Sequence, residues 1–97
     1  MNGYFYSEEA RQDIREIWLY IAEDSIDCAD RLREEFEAAG ELLAKHPGMG
    51  HTREDLTSLP VRFWTVGVYL VIYRPDTRPI EIVRILHGQR DIPTILG

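Results

Sequence analysis

The sequence predicts an α+β domain of order βααβββ, with an N-terminal helical hairpin packed on a small antiparallel sheet. Three observations lead there. Apolar residues recur at helical spacing through the first half, and a Pro-Gly stretch closes that half. Beyond it the apolar period drops from about 3.6 residues to about 2.

Tyr4-Phe5-Tyr6 is a short aromatic run suited to a first strand. Ser7 follows as a helix N-cap, with Glu8 and Glu9 in the first turn, where the helix dipole favours negative charge. Ala10, Ile14, Ile17, Trp18 and Ile21 make one apolar stripe running to about Glu23. Asp24-Ser25-Ile26-Asp27 interrupts it and supplies caps for a second helix. The stripe of that helix is Ala29, Leu32, Phe36, Ala39 and Leu43, with Leu42 beside it. Gly40 inside a helix costs roughly 1 kcal/mol, and close approach of the first helix at that point would account for it. His46-Pro47-Gly48-Met49-Gly50 ends the helix. After a polar loop from His51 to Ser58, Val61 to Val66, Val68 to Tyr73 and Ile80 to His87 read as three strands. Gly67 marks the first turn between them, and Pro75-Asp76-Thr77-Arg78-Pro79 the second. Short turns imply an antiparallel meander.

The 97 residues are read as a single domain, with a composition (44% hydrophobic, 29% charged) ordinary for a folded one. Cys28 is the only cysteine, so no internal disulfide ties the chain to an oxidising compartment. Its place beside Ala29 suits a small core or boundary residue rather than a nucleophile. Met1-Asn2-Gly3-Tyr4 lacks the basic and apolar regions of a signal peptide, and no apolar run nears the roughly 20 residues of a membrane span. A cytoplasmic domain is the expectation. The net charge of −6 argues against direct nucleic-acid binding, because phosphate attraction dominates non-specific affinity. The charge is uneven: residues 7–46 hold 12 acidic and 5 basic side chains, residues 47–97 hold 5 and 6. Six arginines in the second half could therefore meet an anionic or acidic partner; the plainer alternative is a solvated face.

Both faces of the meander are apolar. Val83 and Ile85 are expected to point one way and Ile80, Ile82 and Leu86 the other, while Val68, Leu70 and Ile72 oppose Tyr69, Val71 and Tyr73. A two-helix hairpin covers one face, and uncovered apolar area marks an interaction site. A homodimer, or the segment Ile92 to Leu96 folding back, would be alternative covers. His46, His51, His87 and Cys28 lack compact metal-ligand spacing, and there is no glycine-rich phosphate loop, so neither metal nor cofactor is expected.

In order and spacing, three segments resemble the ParE branch of the RelE/ParE toxins. They are Ala10-x-x-Asp13-Ile14-x-x-Ile17-x-x-Tyr20-Ile21-Ala22, His46-Pro47-Gly48-Met49-Gly50, and Val83-Arg84-Ile85-Leu86-His87-Gly88-Gln89-Arg90-Asp91. The resemblance covers nearly the whole chain. It implies two helices against a small antiparallel sheet, and a ParD-like antitoxin whose helical segment wraps the toxin. The implied target is DNA gyrase in the ParE branch and messenger RNA in the ribosomal A site in the RelE branch.

RNA cleavage needs a base for the 2′-hydroxyl, a cation over the phosphate and an acid for the leaving oxygen. Resemblance to RelE would place an arginine where Leu70 stands and a tyrosine after His87, and neither is present; Lys45 is the only lysine. The reading is therefore a ParE-like toxin that acts by binding and is no enzyme. A ribosome-dependent endonuclease is the alternative, and an antitoxin-binding module without toxicity is a third reading. Arg62, Arg84, His87 and Arg90 form the candidate functional polar set. Histidine near neutrality is also a competent acid or base, should the nuclease hold. For His87 the plainer alternative is a strand-end residue bonding to the C-terminal segment, and for Arg90-Asp91 a local ion pair. Leu70, Ile72, Ile82 and Trp64 are the candidate antitoxin-binding surface, where an amphipathic helix would lie in a groove.

Overall fold

In a computed structural model, which describes residues 3–97, the chain runs β1 (Tyr4–Tyr6), α1 (Glu8–Ala22), α2 (Ile26–Lys45), β2 (Arg62–Val66), β3 (Tyr69–Arg74), β4 (Ile80–His87) and α3 (Ile92–Leu96). Met1 and Asn2, half of the stretch read for a signal peptide, lie outside the described residues. The caps fall where side-chain chemistry placed them. The Ser7 hydroxyl accepts from the Ala10 amide at 3.0 Å, and the Ser25 hydroxyl from the Cys28 amide at 3.1 Å. Cys28 itself is exposed in the first turn of α2, not at a core boundary.

The four strands form one sheet in the order β1-β4-β3-β2. The β2–β3–β4 meander is antiparallel, but β1 lies parallel to β4 in the register Tyr4↔Ile80 to Tyr6↔Ile82, so the sheet is mixed rather than antiparallel. The cause is connectivity. β1 leads into a helical hairpin that crosses the sheet face, and the chain reaches the β1 edge again only with β4.

The alternation predicted for β4 is also corrected. The register with β3 passes from Ile72↔Arg84 to Tyr73↔Ile82, which makes Val83 an extra, bulged residue. The bulge inverts side-chain parity, so Ile80, Ile82 and Ile85 face the helices while Val83 and Leu86 face away.

Two apolar cores result. Under the hairpin, Phe36 and Leu43 pack on Val71, Tyr73, Ile82 and Ile85. On the opposite face, Val61, Phe63, Ile72 and Leu86 pack beneath Ile92, with Leu56, Ile95 and Leu96 at the margin. The C-terminal segment therefore covers the face expected to lie bare. Gly40 is explained by β1 and not by α1: a Cβ there would stand 2.7 Å from the Tyr4 ring.

Candidate functional site

A part-buried polar knot joins α1 to β4. Strand β1 ends at Tyr6, so β4 loses its parallel neighbour beyond Ile82, and α1 takes its place. The Ser7 amide donates to the Ile82 carbonyl at 2.9 Å, and the Ser7 hydroxyl to the Val83 carbonyl at 2.7 Å. Nearly two helical turns further on, Asp13, only 7% exposed, accepts from the Ile85 amide at 3.0 Å. The same carboxylate accepts from Arg84 Nε at 2.8 Å and Nη2 at 2.9 Å. This bidentate pair raises the Arg84 guanidinium pKa, and burial opposes the rise only in part. Arg84 is thus held by Asp13, in a knot that also caps a bare strand edge.

Asp13 was not among the candidate residues. The signal for it was present: a carboxylate set between Ala10 and Ile17 on an apolar helix stripe must find a buried partner.

Arg62 lies apart from the others. Its Nη1 donates to the Gly50 carbonyl at 2.7 Å, beside the Tyr73 hydroxyl, which donates to the Pro47 carbonyl at 2.6 Å and accepts from the Gly50 amide at 2.9 Å. Together they fasten the exit of α2 to the sheet. Gly50 is required there, since a Cβ would meet the Tyr73 hydroxyl at 2.6 Å.

His87 and Arg90 share a groove of about 620 Å³ between α1 and the β3–β4 end, lined also by Glu16, Tyr20, Val68 and Tyr69. The His87 ring meets Tyr69 edge-on at 5.6 Å, and its Nδ1 accepts from the Gln89 amide at 3.1 Å. The Arg90 amide bonds to the His87 carbonyl, and the Gly88 amide to the Val68 carbonyl, each at 2.9 Å, so the turn is rigid while the Arg90 side chain is exposed. Asp91 accepts from Thr94 Oγ1 at 2.8 Å rather than pairing with Arg90. Tyr20 is 74% exposed and Val68 59%, which makes the rim apolar and the lining mixed in charge. The groove can grip a polar–apolar protein surface.

The predicted apolar set is not one surface. Ile72 and Ile82 are fully buried, in opposite cores. Leu70 and Trp64 are half-buried, again on opposite faces. Burial in a thin sheet with both faces covered takes Ile72 and Ile82 from the surface, while Leu70 and Trp64 stay partly exposed. The exposed large apolar side chains lie elsewhere, at Phe5, Leu19, Tyr20, Ile26, Met49, Leu59 and Val68. Trp18 is half-buried on α1, its Nε1 donating to Asp30 at 2.9 Å.

Comparison with known proteins agrees with this architecture. The family described as the ParE toxin of type II toxin-antitoxin system, parDE, matches residues 4–92. A curated relative, Toxin ParE1 of Caulobacter vibrioides, is 34% identical over 98 residues and is covered in full, as is this chain. A solved chain from the chromosomal ParDE TA system from P. aeruginosa superposes with a TM-score of 0.69 at 20% identity. That likeness covers 90% of this chain and 96% of the other, and shows a common fold.

Proposed function

The chain belongs to the ParE toxins of type II toxin–antitoxin systems, and from that premise we propose that it inhibits DNA gyrase by binding and is neutralised by a ParD-like antitoxin. The observation that carries the binding mode is the fate of its arginines. Arg84 is committed to Asp13, Arg62 to the Gly50 carbonyl, and Leu70, where a RelE-type arginine would stand, is packed against the second core. That leaves Arg90 and His87 as the accessible pair of the four, and a lone groove cation beside an apolar rim suits protein recognition better than phosphodiester cleavage. We assign His87 and Arg90, with Tyr20 and Val68, to the gyrase-facing surface. Arg84, through Asp13, holds that surface in shape, and Arg62 fastens the exit of α2 away from it.

No described helix is long and apolar enough to cross a membrane; action on gyrase places the toxin in the cytoplasm.

The test is a pair of assays on purified toxin, gyrase supercoiling and mRNA cleavage on programmed ribosomes. Loss of supercoiling with intact mRNA, reversed by the antitoxin, is the expected result. Cleaved mRNA with normal supercoiling would make His87 and the arginines catalytic candidates. Neither activity would leave an antitoxin-binding module.

A further inference from the structure

The groove between α1 and the β3–β4 end is not uniform in charge. Its α1 wall carries Asp13 and Glu16, and its other wall, the turn after β4, carries Arg90. Asp13 is committed to Arg84 and to the Ile85 amide. Glu16 is exposed and accepts from the Gln12 side chain at 3.0 Å, and among the described residues it is in no salt bridge. It is therefore the one groove carboxylate free to meet a partner's cation.

Two aromatic rings accompany it. Tyr20 follows Glu16 by four residues on α1, so the two side chains are neighbours on one helix face. Tyr69, at the start of β3, is held edge-on by Phe36 at 5.7 Å and by His87 at 5.6 Å. Burial raises the Tyr69 phenol above its ordinary value and the Tyr20 phenol adds to the rise, which puts both rings at the same end of the groove. Tyr69 is fixed in the wall, and Tyr20, 74% exposed, forms the rim.

Aromatic faces attract a cation through the ring quadrupole, and an apolar guest would leave the adjacent carboxylate without a partner. A guanidinium suits both groups, because it is planar, stacks on rings and donates two parallel bonds to a carboxylate. We infer that this end of the groove seats an arginine side chain of gyrase against the rings of Tyr20 and Tyr69, with its guanidinium on Glu16. The inference rests on the gyrase reading above and adds to it the chemistry of the residue recognised. Arg90 on the opposite wall repels a second cation, so it sets the direction in which the basic segment enters.

The experiment titrates gyrase supercoiling with toxin variants shown to keep the native thermal midpoint, as exposed Glu16 and Tyr20 permit. Tyr20→Leu keeps apolar bulk without a π face and weakens inhibition about tenfold, and Tyr20→Phe recovers most of that loss. Glu16→Gln weakens inhibition about fivefold at low salt and flattens its salt dependence. Glu34→Gln, which removes the same charge from α2 outside the groove, changes neither. Inhibition untouched by Tyr20→Leu and Glu16→Gln overturns the arginine seat and leaves the gyrase reading standing. So does a Tyr20→Leu toxin as potent as Tyr20→Phe, which marks an apolar guest. A native toxin that leaves supercoiling intact overturns both.

Discussion

The two faces of the sheet are equally apolar and very differently covered. One lies under 35 residues of α1 and α2. The other lies under a loop and the five-residue α3. Strands β3 and β4 contribute buried side chains to both, so the difference is in the cover. A long helical cover cannot leave without unfolding the hairpin. A short one can lift while the sheet persists, because local opening depends on how much apolar contact each cooperative unit holds.

The sharpest way to break that comparison is to weaken the hairpin face. Phe36→Ala should cost about 3–5 kcal/mol and lower the denaturation midpoint with an unchanged slope, since the cavity left between α2 and Tyr69 cannot collapse. Asp13→Ala follows at about 3 kcal/mol in the same measurement. It strands the Arg84 guanidinium and the Ile85 amide together, whereas Asp13→Asn should recover part of the loss. On the thin face, Ile92→Ala should cost about 2 kcal/mol, at the low end for its type because the loop can settle. Hydrogen exchange should then accelerate at residues 88–97 and leave α1 and α2 unchanged; uniform acceleration would show that the two faces form one cooperative unit.

Alkaline titration separates the faces by chemistry. Tyr4, Tyr6, Tyr69 and Tyr73 all belong to the hairpin side, and burial is the largest cause raising each phenol above its ordinary value of 10.0. The fold favours the neutral phenol, so this stability is complete below pH 10 and declines as pH rises beyond it. Tyrosinate absorbance at 295 nm for these four should therefore appear with loss of the hairpin's helicity and not before it. Smallest of all, Arg90→Gln should leave stability within about 0.5 kcal/mol while reducing supercoiling inhibition, since its side chain is exposed and makes no salt bridge among the described residues.

Most of the fold was readable in advance because it rests on local signals: Ser7 and Ser25 as caps, the α1 and α2 stripes, the Pro47 stop, and the turn glycine Gly67, whose φ of 60° needs no Cβ. What escaped was non-local. The parallel pairing of β1 with β4 leaves no local mark, and neither does the Val83 bulge, which depends on where α1 displaces a strand neighbour. A one-residue bulge then moved Ile85 to the hairpin side and Leu86 to the other, so the faces were drawn wrongly. The candidate site divided for a similar reason. Arg62, Arg84, His87 and Arg90 look alike in sequence, but which arginines are bound depends on Gly50 and on Asp13, 12 and 71 residues away.

The pairing of β1 with β4 has a consequence in time. The first strand waits for residues 80–82 before it has a partner, and Asp13 waits for Arg84 and Ile85. Those residues are made more than 70 residues after the groups they complete. The sheet cannot close around a nascent chain, and a truncated product carries an unpaired strand and a buried carboxylate without its cation. A chain built this way completes its fold only with its last strand, so any product that stops short of β4 lacks both closures.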